Sequence, residues 1–183
     1  REALKNLNEK RIINGEPVIS FGIGLHAGPC SVGNMGSERR FDYSILGDSV
    51  NLASRLEGAC KVVATDILST REIRDGCPDL AWLDLGLIQV VGRSEPTHVF
   101  ALAGDSATKT STSFCEWLSQ HEKMMEHFRN YNFSQAKKNA LKITEIAPPS
   151  WIPLYTSFIE RCELFASSSS SMVGEPIWVL SRK

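Results

Sequence analysis

The ten residues from Asp48 to Glu57 constrain this chain more than any others. Val50, Ala53 and Leu56 recur at the spacing that lines one face of a helix, Asp48 or Ser49 stands where an N-cap is needed, and Gly58 follows as a stop. A helix patterned in this way must bury that face. Asn51 and Arg55, four residues apart, flank the apolar stripe and project side by side. The plain reading of such a pair is a solvated Asn and a solvated Arg. The chemical reading is a site for a ribose phosphate, because Arg supplies a planar fork of donors and Asn both donates and accepts. Such a pair can stabilise charge developing on phosphorus.

Around this helix the patterns alternate between strand and helix. The chain opens on Arg1 in a helical pattern, with Ala3, Leu4 and Leu7 on one side and Gly15 ending the segment before Pro17. A start of this kind is expected of a piece cut from a longer protein. Between Val18 and Leu25, Phe21, Ile23 and Leu25 alternate with smaller residues, Gly28-Pro29 signals a turn, and a second strand is expected around Ser31 to Asn34, giving an antiparallel pair. After the central helix come a short strand at Val62 to Ala64, a helical turn from Asp66, a strand within Trp82 to Val91 and another from Thr97 to Leu102. Mixed elements in this order predict an α+β fold.

Residues 105–113, small and hydroxylated, read as a linker closing a first unit at 1–104. Phe114 to Phe128 and Tyr131 to Ile146 carry apolar residues at helical spacing, Pro148-Pro149 breaks the second helix, and Ile152 to Phe165 forms a third. This extension, 114–166, resembles a tetratricopeptide-like unit without a second copy of the period. It is either a helical cap on the first unit or a surface for a protein partner. The serine tract from Ser167 leads into a tail, 167–183, expected to be mobile.

Composition narrows the function classes. A net charge of −1, with 42% hydrophobic and 22% charged residues, gives no electrostatic case for nucleic acid or anionic lipid. Cys30, Cys60, Cys77, Cys115 and Cys162 are odd in number and never fall in C-x-x-C spacing, so neither a disulfide framework nor a zinc cluster is expected. Reduced thiols and a cytoplasmic location follow as the expectation for this chain, with membrane anchoring of a longer parent protein left open. No apolar run approaches the roughly 20 residues of a membrane span.

Four linked blocks carry a resemblance: Ile23-Gly-Leu-His-Ala-Gly-Pro29, Gly33-Asn-Met-Gly-Ser37, Arg40-Phe-Asp-Tyr43 and Leu46-Gly-Asp-Ser-Val-Asn-Leu-Ala-Ser-Arg-Leu-Glu57. In this order they resemble the second half of a class III nucleotide cyclase catalytic domain, the adenylate and guanylate cyclase family. The resemblance continues weakly through Leu85 to Arg93 and Glu95 to Leu102. It implies an incomplete ferredoxin-like α+β sandwich followed by the helical extension. The implied reaction is ATP to cyclic AMP and pyrophosphate in a head-to-tail dimer with a second cyclase domain. In that family Asn51 would orient the ribose and Arg55 would stabilise the phosphoryl transition state. Ser44 would stand at the base-contact position, where a hydroxyl fits adenine, with guanylate cyclase as the alternative.

Two departures matter. The family's metal-binding aspartates and base-contacting lysine lie upstream of the matched half, so magnesium or manganese would find its ligands there and the chain alone is expected to be inactive. A family lysine that grips the terminal phosphates is replaced by Val91, leaving Arg93 to reach the triphosphate instead or to remain a solvated charge. A non-catalytic regulatory module is the rival reading. His26 reads as a hydrogen-bonded packing residue, Asp42 as a surface charge, Asp48 as the helix cap, and Gly33 to Gly36 as a tight turn.

Overall fold

The computed structural model describes residues 1–37, 40–167 and 175–180. In chain order these form α1 (Glu2–Ile13), β1 (Ile23–Leu25), β2 (Ser31–Ser37), β3 (Arg40–Leu46), α2 (Asp48–Val63), β4 (Ile67–Thr70), α3 (Arg71–Gly76), β5 (Ala81–Gln89), β6 (Thr97–Gly104), α4 (Ser106–Thr110), α5 (Thr112–Arg129), α6 (Phe133–Ile146), α7 (Ile152–Ser167) and β7 (Ile177–Val179). Five strands make one sheet in the order β1-β4-β6-β5-β7, while β2 and β3 stand apart as an antiparallel hairpin. The architecture is the expected α+β.

Helix α2 lies directly on β1 because the strand has no side chain in the way. A Cβ added at Gly24 would collide with the Ala53 carbonyl and the Leu56 side chain, so the alternating glycines of this segment are contact surface for the helix. The buried stripe of α2 is Leu52, Leu56, Ala59, Cys60 and Val63. Val50 and Ala53, expected in the core, are half-buried.

Several local expectations change. The antiparallel pair is β2 with β3, whereas β1 pairs in parallel with β4, Ile23 opposite Ile67. Gly58 does not stop α2, which runs on to Val63 and ends at Ala64 in the left-handed region. The predicted strand at Val62 to Ala64 is therefore helix and turn. Gly33 to Gly36 sit within β2 rather than in a turn. In the segment read as a linker, Asp105 caps the short α4 and Ser111 caps α5. Residues 168–174 of the tail lie outside the described residues, but Ile177 to Val179 form an edge strand parallel to Leu87 to Gln89.

One buried cluster runs from Leu56 and Val63 through Leu83, Leu85 and Ile88 of β5 to Met124, Met125, Phe128, Tyr155 and Phe158 of the helices. The extension thus packs on the sheet as a cap. A polar chain crosses this junction. Trp117 Nε1 donates to the Tyr155 hydroxyl at 2.5 Å, that hydroxyl meets His121 Nδ1 at 3.0 Å, and His121 Nε2 meets the Asp84 carbonyl at 2.7 Å. A carbonyl only accepts, so Nε2 carries the proton and Nδ1 accepts from tyrosine. Burial lowers the fully buried His121 to about 4 and keeps the ring neutral. The Asp84 carboxylate, placed by a bulge in β5, is opposed by burial. Hydrogen bonds from His98 and the Gly86 N–H, with the charge of Arg129, nevertheless hold it at about 2.

Arg161 is buried with only aromatic neighbours for its charge. Its guanidinium lies over Phe128, Phe158 and Trp178 at 4.6, 4.8 and 4.2 Å, and no acceptor among the described residues reaches its three nitrogens. Burial lowers it to about 9, so it stays charged at neutral pH. Contacts with ring faces recover part of the desolvation but leave the donors unpaired. Arg161→Met, which keeps the length and removes the charge, is expected to raise the stability to urea unfolding by about 1 to 2 kcal/mol. A lower urea midpoint for the variant would show that the cation is a net stabiliser.

Candidate active site

The site is built where the start of α2 meets the turn between β5 and β6. Gly47 occupies the N-cap position of α2 without a side-chain cap, and Asp48, expected as the cap, is the first helical residue. Its carboxylate instead accepts from Arg93 Nη1 at 2.6 Å, joining the helix to the turn. One turn into the helix Asn51 is exposed, and one turn further Arg55 is half-buried at the edge of the core stripe of α2.

Arg55 lies against backbone. Gly92 has φ +77°, and a Cβ there would stand 3.4 Å from Arg55 Cζ, Nη1 and Nη2. Any other residue at this position would adopt a strained conformation and press on the guanidinium. The turn is held from its base by Gln89, whose Nε2 donates to the carbonyls of Arg93 at 2.9 Å and Ser94 at 3.2 Å. The Arg93 N–H donates to the Val90 carbonyl. Val91, at the position where the resemblance expects lysine, is 38% exposed and offers no donor beyond its backbone.

Ser44 lies on β3, half-buried and opposite Gly33 of β2, four residues ahead of α2. No hydrogen bond among the described residues ties it to Asn51 or Arg55. The 90–94 turn meets α2 through Arg93 at Asp48 and Gly92 at Arg55, on either side of Asn51 in the helix, and Ser44 is set on the β2–β3 hairpin. Gly92, Gln89 and the carboxylate of Asp48 were not singled out as site residues by the sequence. The one local signal was the glycine in Val91-Gly92-Arg93. Asp42 is exposed, and His26 makes the expected packing contact, Nδ1 to Thr70 Oγ1 at 2.9 Å. Among the described residues no cluster of three or more His, Cys, Asp or Glu side chains could hold a metal ion, and none of the helices could cross a membrane. All five cysteines are free.

Residues 2–101 match the adenylate and guanylate cyclase catalytic domain. The chain belongs to that family. It is 33% identical over 104 residues to adenylate cyclase 1 of Rhizobium meliloti, covering 56% of this chain and 16% of the relative. It is 34% identical over 108 residues to the adenylate cyclase of Anabaena cylindrica, covering 55% of this chain and 22% of the relative. Among solved structures, the adenylyl cyclase CyaB from P. aeruginosa superimposes with a TM-score of 0.50 at 33% identity, covering 57% of this chain and 54% of that one. The chain thus spans about a sixth to a fifth of the length of the two sequence relatives.

Proposed function

We propose that this chain supplies the ribose- and phosphate-contacting part of a class III adenylate cyclase, which converts ATP to cyclic AMP and pyrophosphate. The 3′-oxygen attacks the α-phosphorus, the bond to the pyrophosphate oxygen breaks, and negative charge shifts onto the phosphoryl oxygens. Arg55 answers that charge with its guanidinium, one turn beyond the Asn51 amide that hydrogen-bonds the ribose. Its seat against the Gly92 backbone is the observation that carries the reading, since a propped cation loses little freedom when the transition state forms. Ser44 contacts the base with its hydroxyl, and Arg93 exchanges the Asp48 carboxylate for the triphosphate.

The chemistry that a magnesium or manganese ion would supply to such a reaction is activation of the attacking oxygen and neutralisation of the triphosphate. The described residues of this chain do not fit a site for it, and its ligands are assigned to the rest of the composite site. The partner in this reading is a second cyclase domain docked head to tail, in the cytoplasm. The helical extension acts as a cap, and a protein partner for it is not required. Val91 and the engagement of Arg93 with Asp48 favour a second reading, a regulatory module that no longer turns over nucleotide.

Mixing decides between the two. The chain is expected to be inactive alone and to yield cyclic AMP when combined with a full cyclase domain that keeps its metal carboxylates but lacks its own transition-state arginine. Activity should rise with chain concentration and saturate as the pair forms. A heterodimer seen by light scattering that makes neither cyclic AMP nor cyclic GMP would establish the regulatory reading. Cyclic GMP as the main product would make the chain a guanylate cyclase and reassign Ser44.

A further inference from the structure

The turn between β5 and β6 touches α2 twice, at Asp48 and at Arg55. These two residues are seven apart, about 10 Å along a helix at 1.5 Å per residue, and the long side chains of Arg93 and Arg55 span that distance from the adjacent turn residues Arg93 and Gly92. Whatever fixes the turn therefore fixes where the Arg55 guanidinium rests. Besides the buried Val90 side chain, two polar side-chain holds on the turn are seen among the described residues. One is the ion pair between Arg93 and Asp48, whose carboxylate side is 77% exposed; exposed pairs of this kind hold weakly and are screened by salt. The other is Gln89.

Gln89 stands where the sheet ends. Ile88, the residue before it, still pairs with Thr97 of β6, and Gln89 itself pairs with Val179 of β7 while its carbonyl accepts from the Leu180 N–H at 3.0 Å. Its backbone is thus anchored to the C-terminal strand, and its side chain reaches the turn. The two amide hydrogens meet the carbonyls of Arg93 and Ser94, which flank the far side of the turn from Gly92. This planar donor group, together with the Arg93 N–H bond to the Val90 carbonyl, closes the loop over Val90, Val91 and Gly92, whose backbone lies against Arg55.

Resting on the reading of Arg55 given above, we propose that Gln89 is a positioning residue for the reaction: its amide fixes the 90–94 turn, and through Gly92 it holds the Arg55 guanidinium in the attitude that meets transition-state charge. Gln89 touches no substrate in this role. It acts on kcat, because a displaced arginine still permits nucleotide to bind while meeting the developing charge less well. Nothing in the local sequence announces it, since glutamine at a strand end is an ordinary polar residue.

Gln89→Leu keeps the size and removes both donors, and Gln89→Glu keeps the shape and points an acceptor at two carbonyls. In the full chain, complemented by the arginine-deficient domain, each is expected to lower kcat about tenfold with KM within about twofold, the scale expected when a reacting group is slightly misplaced. A purely structural role would lower the melting midpoint and the active fraction but leave kcat per folded site unchanged. The second measurement needs no activity: in the isolated full chain, hydrogen exchange at the amides of 92–94 and at the Arg55 Nε–H is expected to quicken about tenfold in Gln89→Leu, while the buried turns of α2 exchange as before. Unchanged exchange at the turn and at Arg55 overturns the proposal, whether or not the parent chain is active. Quickened exchange with kcat unchanged in an active parent overturns it too. A parent chain that yields no product in a formed heterodimer refutes the functional reading on its own, and the exchange result still decides the geometry.

Discussion

Arg55→Ala, measured in the complemented chain at saturating ATP, is expected to lower kcat about a hundredfold with little change in KM, because loss of one transition-state donor typically costs about 3 kcal/mol. The split between the two constants follows from where the interaction develops. An interaction with the extra charge that appears only as the pyrophosphate bond breaks lowers the transition state and leaves ground-state binding nearly unchanged. Arg55 is half-buried at the edge of the α2 core stripe, and truncating it removes no buried apolar side chain, so the melting midpoint should move little. Arg55→Lys is an informative companion. A point charge on a flexible stem cannot copy the planar fork, and it loses the broad contact with the Gly92 backbone. Equal rates for Arg55→Ala and the parent at saturating ATP would remove Arg55 from the mechanism and with it the carrying observation of the proposed function.

How much of this site was legible beforehand depended on the distance over which its parts communicate. The Asn51 and Arg55 pair is four residues apart on one helix, so periodicity alone places the two together, and the α+β fold follows from elements of clear type. Longer-range relations were hidden. Gly92 and Arg55 are separated by 37 positions, and their contact arises only because β5 and β6 bring the turn over α2. Asp48 has the composition of a cap, yet the structure gives its carboxylate to Arg93, since Gly47 already takes the N-cap position. Gly58 has the composition of a helix stop, but burial of Ala59, Cys60 and Val63 outweighs the propensity cost of about 1 kcal/mol for a helical glycine. The strand Ile177 to Val179 is three residues long in a serine-rich setting, and no local pattern could distinguish it from tail. It is fixed by pairing with β5 and by Trp178 over Arg161.

The junction between sheet and helices is expected to be the acid-sensitive part of the molecule, through His121. The ring is neutral because burial disfavours its cation and Nδ1 accepts from Tyr155, whose oxygen in turn accepts from Trp117; the Nε2–H bond to the Asp84 carbonyl favours the charged form but does not outweigh burial. Protonating Nδ1 would turn the Tyr155 hydroxyl away with no acceptor for its own proton, inside a cluster of aromatic rings. Burial therefore holds the folded-state value at about 4, below the unfolded 6.5. Above pH 6.5 both states are neutral and the histidine adds no pH dependence. As the pH falls from 6.5 towards 4 the unfolded chain binds a proton that the folded chain refuses, so stability drops, by about 3 kcal/mol over that window at 1.36 kcal/mol per unit. Asp84, held at about 2 against an ordinary 3.8, adds a further loss only below pH 4, when the unfolded carboxyl takes up its proton first. Urea midpoints for the full chain and for His121→Gln, taken from pH 8 to pH 4, isolate the histidine from every other group. The variant should be the less stable at pH 8, where it lacks the ring's packing and hydrogen bonds, and the gap should narrow steadily below pH 6.5. A gap that stays constant across that range would show that His121 titrates alike in both states. If the gap closes, the same acid window should loosen β5 at Asp84, five residues ahead of Gln89, and the turn beneath Arg55 should exchange faster in step with it.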